Sequence, residues 1–271
     1  MKFHLVKPSG FLSSYIRHYC FMESEVGDAA IAERVIPVDS IQLMLHYKDP
    51  FVESHPDNAV LRQPRSFVSG LSGSWMDVST SGEMGVVFVS FFPGKARQFF
   101  NFPLAEIENQ RVGLRDIFHR EIFELEEKLC WSNTIEDKVH SIEVFLKKLF
   151  CPVSNHDELF IQRFLEIIKA HKGQIAARDL ADKLSVTCKT LERKSANYLG
   201  KTPKQYIQLI RFQELLTNIS TGRHAHLTGL AYDSGYYDQA HFIHDFKRFC
   251  GYTPSAYAKK HSKSYLEADY H

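Results

Sequence analysis

The chain has 271 residues, which is long enough for two domains that each bury a hydrophobic core, and its composition is that of an ordinary globular protein. No stretch approaches the roughly 20 apolar residues of a membrane span, and the start lacks the long apolar run of a secretory signal, so we expect a cytoplasmic protein with no membrane partner. The formal net charge of +1 hides an asymmetry, because residues 153–271 hold 17 Lys and Arg against 12 Asp and Glu, whereas residues 1–152 hold 16 against 20. The basic C-terminal part suits contact with a polyanion.

The cysteines argue against a disulfide framework or a zinc site. They are odd in number, scattered along the chain and without a C-x-x-C pair: Cys20, Cys130, Cys151, Cys188 and Cys250. We therefore expect reduced, mostly packed thiols and no cofactor.

The first half of the chain reads as short strands. Residues 41–47 are apolar at nearly every second position, and residues 84–92 form an almost continuous β-rich run that Pro93 and Gly94 end. Helical periodicity follows, clearest from Ile135 to Leu149. Pro152 cannot continue that helix, and Ser154 or Asn155 can cap the next one. These patterns predict a β-rich regulatory domain over residues 1–110, a helical connector over 111–152 that could form a dimer interface, and an all-helical domain over 153–271.

An internal repeat dominates the second half. Leu180-Ala181 recurs as Leu230-Ala231, and the Gly-x-Thr-Pro-x-x-Tyr segment that begins at Gly200 recurs at Gly251. The one extra residue of the second copy falls in a turn. Each unit therefore reads as a short helix, a turn and a longer helix, which is the helix-turn-helix motif. Gly235 can take a positive φ in the second turn, and Thr187 and Asp238 stand where the longer helix needs an N-cap.

The longer helix of each unit is predicted to have a buried and an exposed face. The buried stripe is Leu191, Ser195 and Tyr198 in unit one, and Phe242, Phe246 and Phe249 in unit two. The opposite face carries Lys189, Glu192 and Arg193 in unit one, and Gln239, Ala240, Ile243, His244, Lys247 and Arg248 in unit two. A major groove admits one α-helix and offers base edges that the Arg, Lys, Gln and Glu side chains among these can hydrogen-bond. A helix from Pro203 to about Ile219 would span about 25 Å and fix the two units relative to each other. Lys194, Lys201, Lys204 and Lys247 are phosphate contacts or solvated charges on this interpretation.

At these residues the chain resembles the AraC/XylS family of transcriptional regulators. The similar stretch is Leu230-Ala231, residues 235–242, Phe246-Lys247-Arg248-Phe249, Gly251 and residues 253–257. The resemblance covers about residues 157–260 and implies seven helices, with base contacts at Lys189, Glu192, Arg193, Gln239, Ala240 and His244. The first half is similar, through residues 15–17, 35–39 and 91–96, to the cupin-like sensor domain of a branch of the family. The fold class expected is therefore α+β, and the function that of a bacterial DNA-binding transcription regulator.

Two departures from the family pattern stand out. Position 195 is Ser where the family usually has a large apolar residue, which predicts looser packing in unit one. Position 244 is His where arginine is common, which weakens its expected base contact. We therefore expect unit one to supply most of the sequence specificity and unit two to anchor. Double-stranded DNA is the partner expected first; RNA polymerase, a second copy of the chain and a small effector at the N-terminal domain are the other candidates.

The rival interpretation is a cupin-type metal enzyme fused to a DNA-binding tail. Cupin enzymes hold a metal through several converging ligands, but the β-rich half offers only His46 on a predicted strand and no His-x-His pair. We therefore predict no enzyme activity. His224, His226, His241 and His244 could together hold a divalent ion, and a solvated loop beside a helix histidine is the alternative. Aromatic residues of the first half, Phe21, Phe88, Phe91, Phe99 and Phe100, are expected in the core rather than around an effector, whereas Trp75 is a candidate for a pocket rim.

Overall fold

The computed structural model describes residues 1–24, 28, 30–57, 59–220, 236 and 239–260. Within these residues, ten antiparallel strands precede the α-helices, which confirms the predicted β-rich N-terminal half. They are β1 (Lys2–Val6), β2 (Ile16–Glu23), β3 (Ala32–Val35), β4 (Gln42–His46), β5 (Val52–Ser54), β6 (Val60–Arg62), β7 (Ser66–Ser69), β8 (Met76–Ser79), β9 (Gly85–Phe91) and β10 (Arg111–Gly113).

The strands form two sheets. The larger has the order β1-β2-β9-β4-β7-β10 and the smaller the order β3-β8-β5-β6. Strands β4 and β9 lie at the centre of the larger sheet and are buried on both faces, in the register Leu43 opposite Val89 and Leu45 opposite Val87. Burial on both sides explains why residues 84–92 read as a continuous apolar run rather than a strict alternation.

The two faces of the larger sheet bury different residues, as the period of two in a strand requires. Leu43, Leu45, Val87 and Val89 belong to the main hydrophobic cluster, which continues into the helices. Met44 and Val86 point the other way into a smaller cluster with Phe51, just before β5 of the second sheet. The larger sheet is therefore covered by the smaller sheet on one side and by helices on the other.

Helices make up nearly all of the rest. They are α1 (Leu114–Trp131), α2 (Ile135–Leu149), α3 (Asn155–Ala170), α4 (Ala177–Lys183), α5 (Cys188–Leu199), α6 (Pro203–Ser220), α7 (Gln239–Cys250) and α8 (Pro254–Lys260). Of the two predicted caps for α3, Ser154 is the one used, since its side chain accepts from the Asp157 amide. Strand β10 extends the sheet to Gly113, three residues beyond the predicted end of the β-rich domain. Among the described helices, none is both long and apolar enough to cross a membrane.

The predicted aromatic core is present. Phe21, Phe91, Phe99 and Phe100 are almost fully buried, and Phe88 is half-buried against the smaller cluster. These rings pack on one another and on connector residues; for example, Phe99 lies 5.6 Å from Phe150 and Phe100 lies 6.1 Å from Phe118. The connector helices thus share the hydrophobic core of the β-rich half.

Candidate nucleic-acid interface

Unit one of the repeat is a helix-turn-helix formed by α4 and α5. Ala181 of α4 is buried, and its carbonyl accepts the Val186 amide at 3.0 Å, which closes the turn. Ser185 in that turn has a φ of +53°, a left-handed conformation that glycine adopts most readily. Thr187 caps α5 by accepting the Thr190 amide at 3.2 Å, as predicted.

Helix α5 has the two faces predicted for it. Leu191, Ser195 and Tyr198 are buried. The side chains proposed to contact DNA, Lys189, Glu192 and Arg193, are all exposed. The repeat therefore leaves a polar surface of α5 open to a partner while its opposite surface holds the helix in place.

Ser195 does not loosen unit one, so the expectation drawn from this position was wrong. The side chain is fully buried, and its hydroxyl donates to the Lys201 carbonyl at 2.7 Å. That carbonyl lies just beyond the end of α5, where backbone acceptors lack partners within the helix. A large apolar residue could not make this bond. Ser195 therefore ties the end of α5 to the following loop.

We expect Ser195→Ala to lower the free energy of unfolding by about 1–2 kcal/mol, because it leaves a buried carbonyl without its donor. Ser13→Ala is the matched control, since Ser13 makes the same kind of bond to the Gly10 carbonyl at 2.7 Å in an exposed position where water can replace it. Urea unfolding of both variants measures the difference. Equal small losses would remove the structural role given to Ser195.

Unit two is described from α7 onward, together with Tyr236. Its predicted first helix and turn, with Gly235, Asp238, His224 and His226, lie outside the described residues, so six of the seven predicted C-terminal helices can be compared. Phe242, Phe246 and Phe249 of α7 form the predicted buried stripe. Phe246 and Phe249 pack on Phe212 of α6, whose ring lies 4.7 Å from that of Phe249 and 5.5 Å from that of Phe246.

The outward face of α7 is exposed as predicted, at Gln239, Ala240, His244 and Lys247. Asp245, a buried residue of the same helix, attracts the basic side chains around it. Its carboxylate lies 3.5 Å from His241, 3.6 Å from Arg248 and 3.9 Å from His244. In the described part of the chain, no group of three His, Cys, Asp or Glu side chains is placed to hold a metal ion.

Two of the lysines considered as phosphate contacts form ion pairs within the protein instead. Lys194 is buried and pairs with Asp157 of α3, and Lys201 is buried and pairs with Glu108 at 2.9 Å. Both pairs join residues far apart in the sequence, which is why the helix pattern alone could not reveal them. Lys204 and Lys247 remain exposed.

His46, the histidine on which a cupin-type metal site was considered, lies in the interior of the β-rich half. It is buried between Phe51 and Phe67, and its Nε2 atom lies 3.0 Å from the Gln63 side-chain oxygen. Burial lowers the pKa of His46 to about 4, and the nearby Arg65 acts in the same direction. The imidazole is therefore neutral at pH 7 and part of the packed interior.

The β-rich half also packs directly against unit one. The ring of Tyr198 and the side chain of Ile161 line a cavity of about 240 Å³ below the turn at Pro93 and Gly94. Gln98 reaches the same cavity, and Lys95 pairs with Glu158 at its edge. Beside it, Arg97 donates to Asn197 of α5 at 3.1 Å. The α5 helix is thus held directly by the first half of the chain.

Residues 180–260 match the family model of a helix-turn-helix domain, and residues 4–113 match that of a domain of unknown function, DUF6597. The helix-turn-helix match runs from α4 to the end of α8 and therefore spans both units of the repeat. No curated protein sequence matches the chain significantly.

Several solved structures are similar to this chain. ToxT from Vibrio cholerae is 13% identical, with a TM-score of 0.45 over 85% of this chain and 97% of ToxT. An unsaturated fatty acid bound form of ToxT is 14% identical, with a TM-score of 0.45 over 88% and 94%. The AraC-like transcriptional activator CuxR is 14% identical, with a TM-score of 0.29 over 80% and 86%.

Sequence reasoning missed the side chains by which the two halves of the protein meet. Glu108 and Arg34 of the β-rich half contact the loops after α5 and α7, and Tyr206 of α6 donates to the Asp39 carbonyl at 3.3 Å. One feature of the sequence pointed to these contacts indirectly. The repeat has glycine at positions 200 and 251, and in the structure both glycines end a helix and lie close to the β-rich half.

Proposed function

We propose that the protein is a sequence-specific DNA-binding transcriptional regulator in which α5 and α7 enter the major groove. The observation that carries this proposal is the match between the two units. In each, one face of the longer helix is buried and the opposite face is left exposed with polar side chains. A major groove accepts one α-helix and offers base edges that such side chains can hydrogen-bond.

Within this proposal the two helices have unequal roles. Lys189, Glu192 and Arg193 give α5 three long side chains that can read base edges. On α7, Gln239 and His244 can hydrogen-bond bases, Ala240 can contact a thymine methyl, and Lys247 is placed as a phosphate contact. We infer that unit one supplies most of the specificity and that unit two anchors the protein.

We further propose that a small effector or a protein partner at the β-rich half controls DNA binding. Direct packing of α5 on this half supports the idea, because a ligand that favours one arrangement of the two halves changes how α5 is presented. A second copy of the chain is a candidate partner at the connector, where Phe123 and Trp131 of α1 are 49% and 80% exposed. An effector screen that monitors DNA binding tests the control by an effector, and analytical ultracentrifugation tests the dimer.

We expect Arg193→Ala to weaken binding to a selected DNA site by about 1–3 kcal/mol, because one good base contact contributes roughly that much discrimination. Lys247→Ala should instead weaken all DNA sequences alike and reduce the slope of log Kd against log salt concentration by about 1. Selection from a random DNA pool supplies the site, and titrations on that site and on random DNA at several salt concentrations measure both effects.

Arg120→Ala is the matched control, since Arg120 lies on α1 of the connector and is 91% exposed. Its DNA affinity should equal that of the wild type. An equal loss on selected and random DNA for Arg193→Ala would contradict base reading at this position. Failure of the wild-type protein to select any sequence would contradict the proposed function itself.

A further inference from the structure

The loops that follow α5 and α7 both approach the β-rich half closely. We call residues 200–202 the first docking loop and residues 251–253 the second docking loop. Each begins with a glycine of positive φ, Gly200 at +78° and Gly251 at +73°. A Cβ atom on Gly200 would lie 2.9 Å from the Leu104 carbonyl oxygen, and one on Gly251 would lie 2.4 Å from an Arg34 guanidinium nitrogen. Both glycines are therefore needed for contact with the first half as well as for ending a helix.

The first docking loop is held by an ion pair whose lysine is buried. Lys201 is only 3% exposed, and its ammonium lies 2.9 Å from the Glu108 carboxylate. The same carboxylate oxygen accepts from the Gln205 side chain at 3.1 Å, while Gln205 also caps the start of α6 by accepting from Thr202. Removing one member of such a pair leaves a buried charge uncompensated, so this contact strongly favours a single arrangement.

The second docking loop is held by an aromatic and cationic stack. The Arg34 guanidinium lies 3.5 Å from the ring centre of Trp75 on one side and 4.4 Å from that of Tyr252 on the other. Asp77 fixes the guanidinium through two hydrogen bonds of 2.7 and 2.8 Å. Arg34 and Asp77 belong to paired strands, β3 and β8, so the cation is anchored in the sheet before Tyr252 packs on it.

The two docking points belong to one continuous surface of the β-rich half. Trp75 contacts Arg34, and two residues earlier the Gly73 amide donates to the Asn109 side chain at 2.6 Å, next to Glu108. A short segment of the β-rich half therefore links the residues that hold the two loops. The relative position of these two points is set by the first half of the chain.

We propose that the β-rich half braces the two helix-turn-helix units by holding both docking loops, and thereby determines the spacing of the two DNA contacts that the protein accepts. Helix α6 connects the two units and fixes their separation. The contacts of the docking loops with the β-rich half form a second connection away from the α6 axis, so they also fix the rotation of one unit relative to the other. That rotation decides whether both helices can enter the groove on one face of the duplex. Arg34 and Tyr252 are positioning residues in this scheme, and the consequence for DNA rests on the proposed function.

The brace itself is tested without DNA by the distance between α5 and α7 in the full-length protein. Spin labels are attached to ketone-bearing amino acids introduced at positions 192 and 247, so that the native cysteines are not labelled. Pulsed electron paramagnetic resonance then gives the distribution of distances between the two labels. Tyr252→Leu removes the aromatic face and keeps an apolar side chain, whereas Tyr252→Phe keeps the ring and is the matched control. We expect one narrow distribution for the wild type and Tyr252→Phe, and a distribution at least about twice as wide for Tyr252→Leu. Equal widths in all three would overturn the brace.

Its effect on specificity is tested by inserting one base pair between the two halves of the selected DNA site. The insertion displaces one half by about 3.4 Å and rotates it by roughly 35°. We expect a loss of at least about tenfold in affinity for the wild type and Tyr252→Phe, and less than about threefold for Tyr252→Leu, because a released unit two can follow the displaced half. The same loss in all three proteins would overturn the role of the brace in spacing.

Circular dichroism first establishes that Tyr252→Leu is folded. If it is not, Arg34→Met removes the cation from the other side of the same contact and leaves unit two unchanged in sequence, and the same two measurements then decide. A wild-type protein that selects no DNA sequence would refute the proposed function and the spacing role together. The distance distributions would still show whether the brace exists.

Discussion

Phe212→Ala should lower the free energy of unfolding by about 3–5 kcal/mol, the range typical of a fully buried phenylalanine. Phe212 lies on α6, is fully buried, and packs against two rings of α7. Its stacked contact with Phe249 has ring centres 4.7 Å apart and an interplanar angle of 23°. The variant removes the ring that connects the joining helix to unit two, and the cavity that remains cannot close without moving α7.

Urea unfolding measures the loss, and amide hydrogen exchange locates it. We expect the amides of α7 to lose more protection than those of α3, because the ring supports α7 directly. Phe123→Ala is the matched control, since Phe123 is also on a helix but is 49% exposed, and it should cost less than about 1 kcal/mol. A loss below about 1 kcal/mol for Phe212→Ala would show that α6 and α7 do not depend on this ring for their packing.

The repeat was the most informative feature of the sequence because its evidence is local. Helical spacing places Leu191 and Tyr198 on one face of α5 and Arg193 on the other, and the observed burial follows that division. Thr187 and Ser154 were identified as caps for the same reason, since a cap acts within one turn of its own helix. Predictions of this kind need no knowledge of what the helix packs against.

The errors came from contacts that the residue spacing within one helix does not show. Lys194 and Lys201 look like solvated charges in a helical pattern, but Asp157 and Glu108 draw them into buried pairs. Ser195 looked like a packing defect because its hydrogen-bond acceptor, the Lys201 carbonyl, lies beyond the end of the helix. A single sequence does not show which partners a long polar side chain will meet, so burial of such residues could not be predicted.

The contacts between the two halves could not be predicted from the sequence for the same reason. Trp75 was a candidate for a pocket rim, and in the structure it packs on Arg34 beside the second docking loop. Neither residue carries a local pattern that points to Tyr252, more than 170 positions later in the chain. For the proposed DNA-contact residues, the helical pattern predicts that the side chains are exposed, and they are. Which bases they contact depends on a DNA sequence that is still to be selected.

The buried histidine of the β-rich half gives the second large effect, a loss of stability at acidic pH. Burial lowers the pKa of His46 to about 4 in the folded protein, whereas an unfolded histidine has a pKa of about 6.5. As the pH falls below about 6.5, the unfolded chain binds this proton first, so the free energy of unfolding decreases until the pH reaches about 4. The difference of roughly 2.5 pKa units corresponds to about 3 kcal/mol.

The contribution of His46 is isolated by comparison with His46→Gln, which cannot take up the proton and keeps an amide near Gln63. We expect the stability of the wild type relative to this variant to fall by about 3 kcal/mol between pH 7.5 and pH 4, as measured by urea unfolding across the range. His140→Gln makes the same change at an exposed position of α2 and is the matched control for the loss of a histidine. A parallel pH dependence of the wild type and His46→Gln would mean that the folded protein admits the proton at His46 as easily as the unfolded chain does. The outcome therefore also reports on the interior of the β-rich half, because a neutral His46 between Phe51 and Phe67 requires that water be excluded from it.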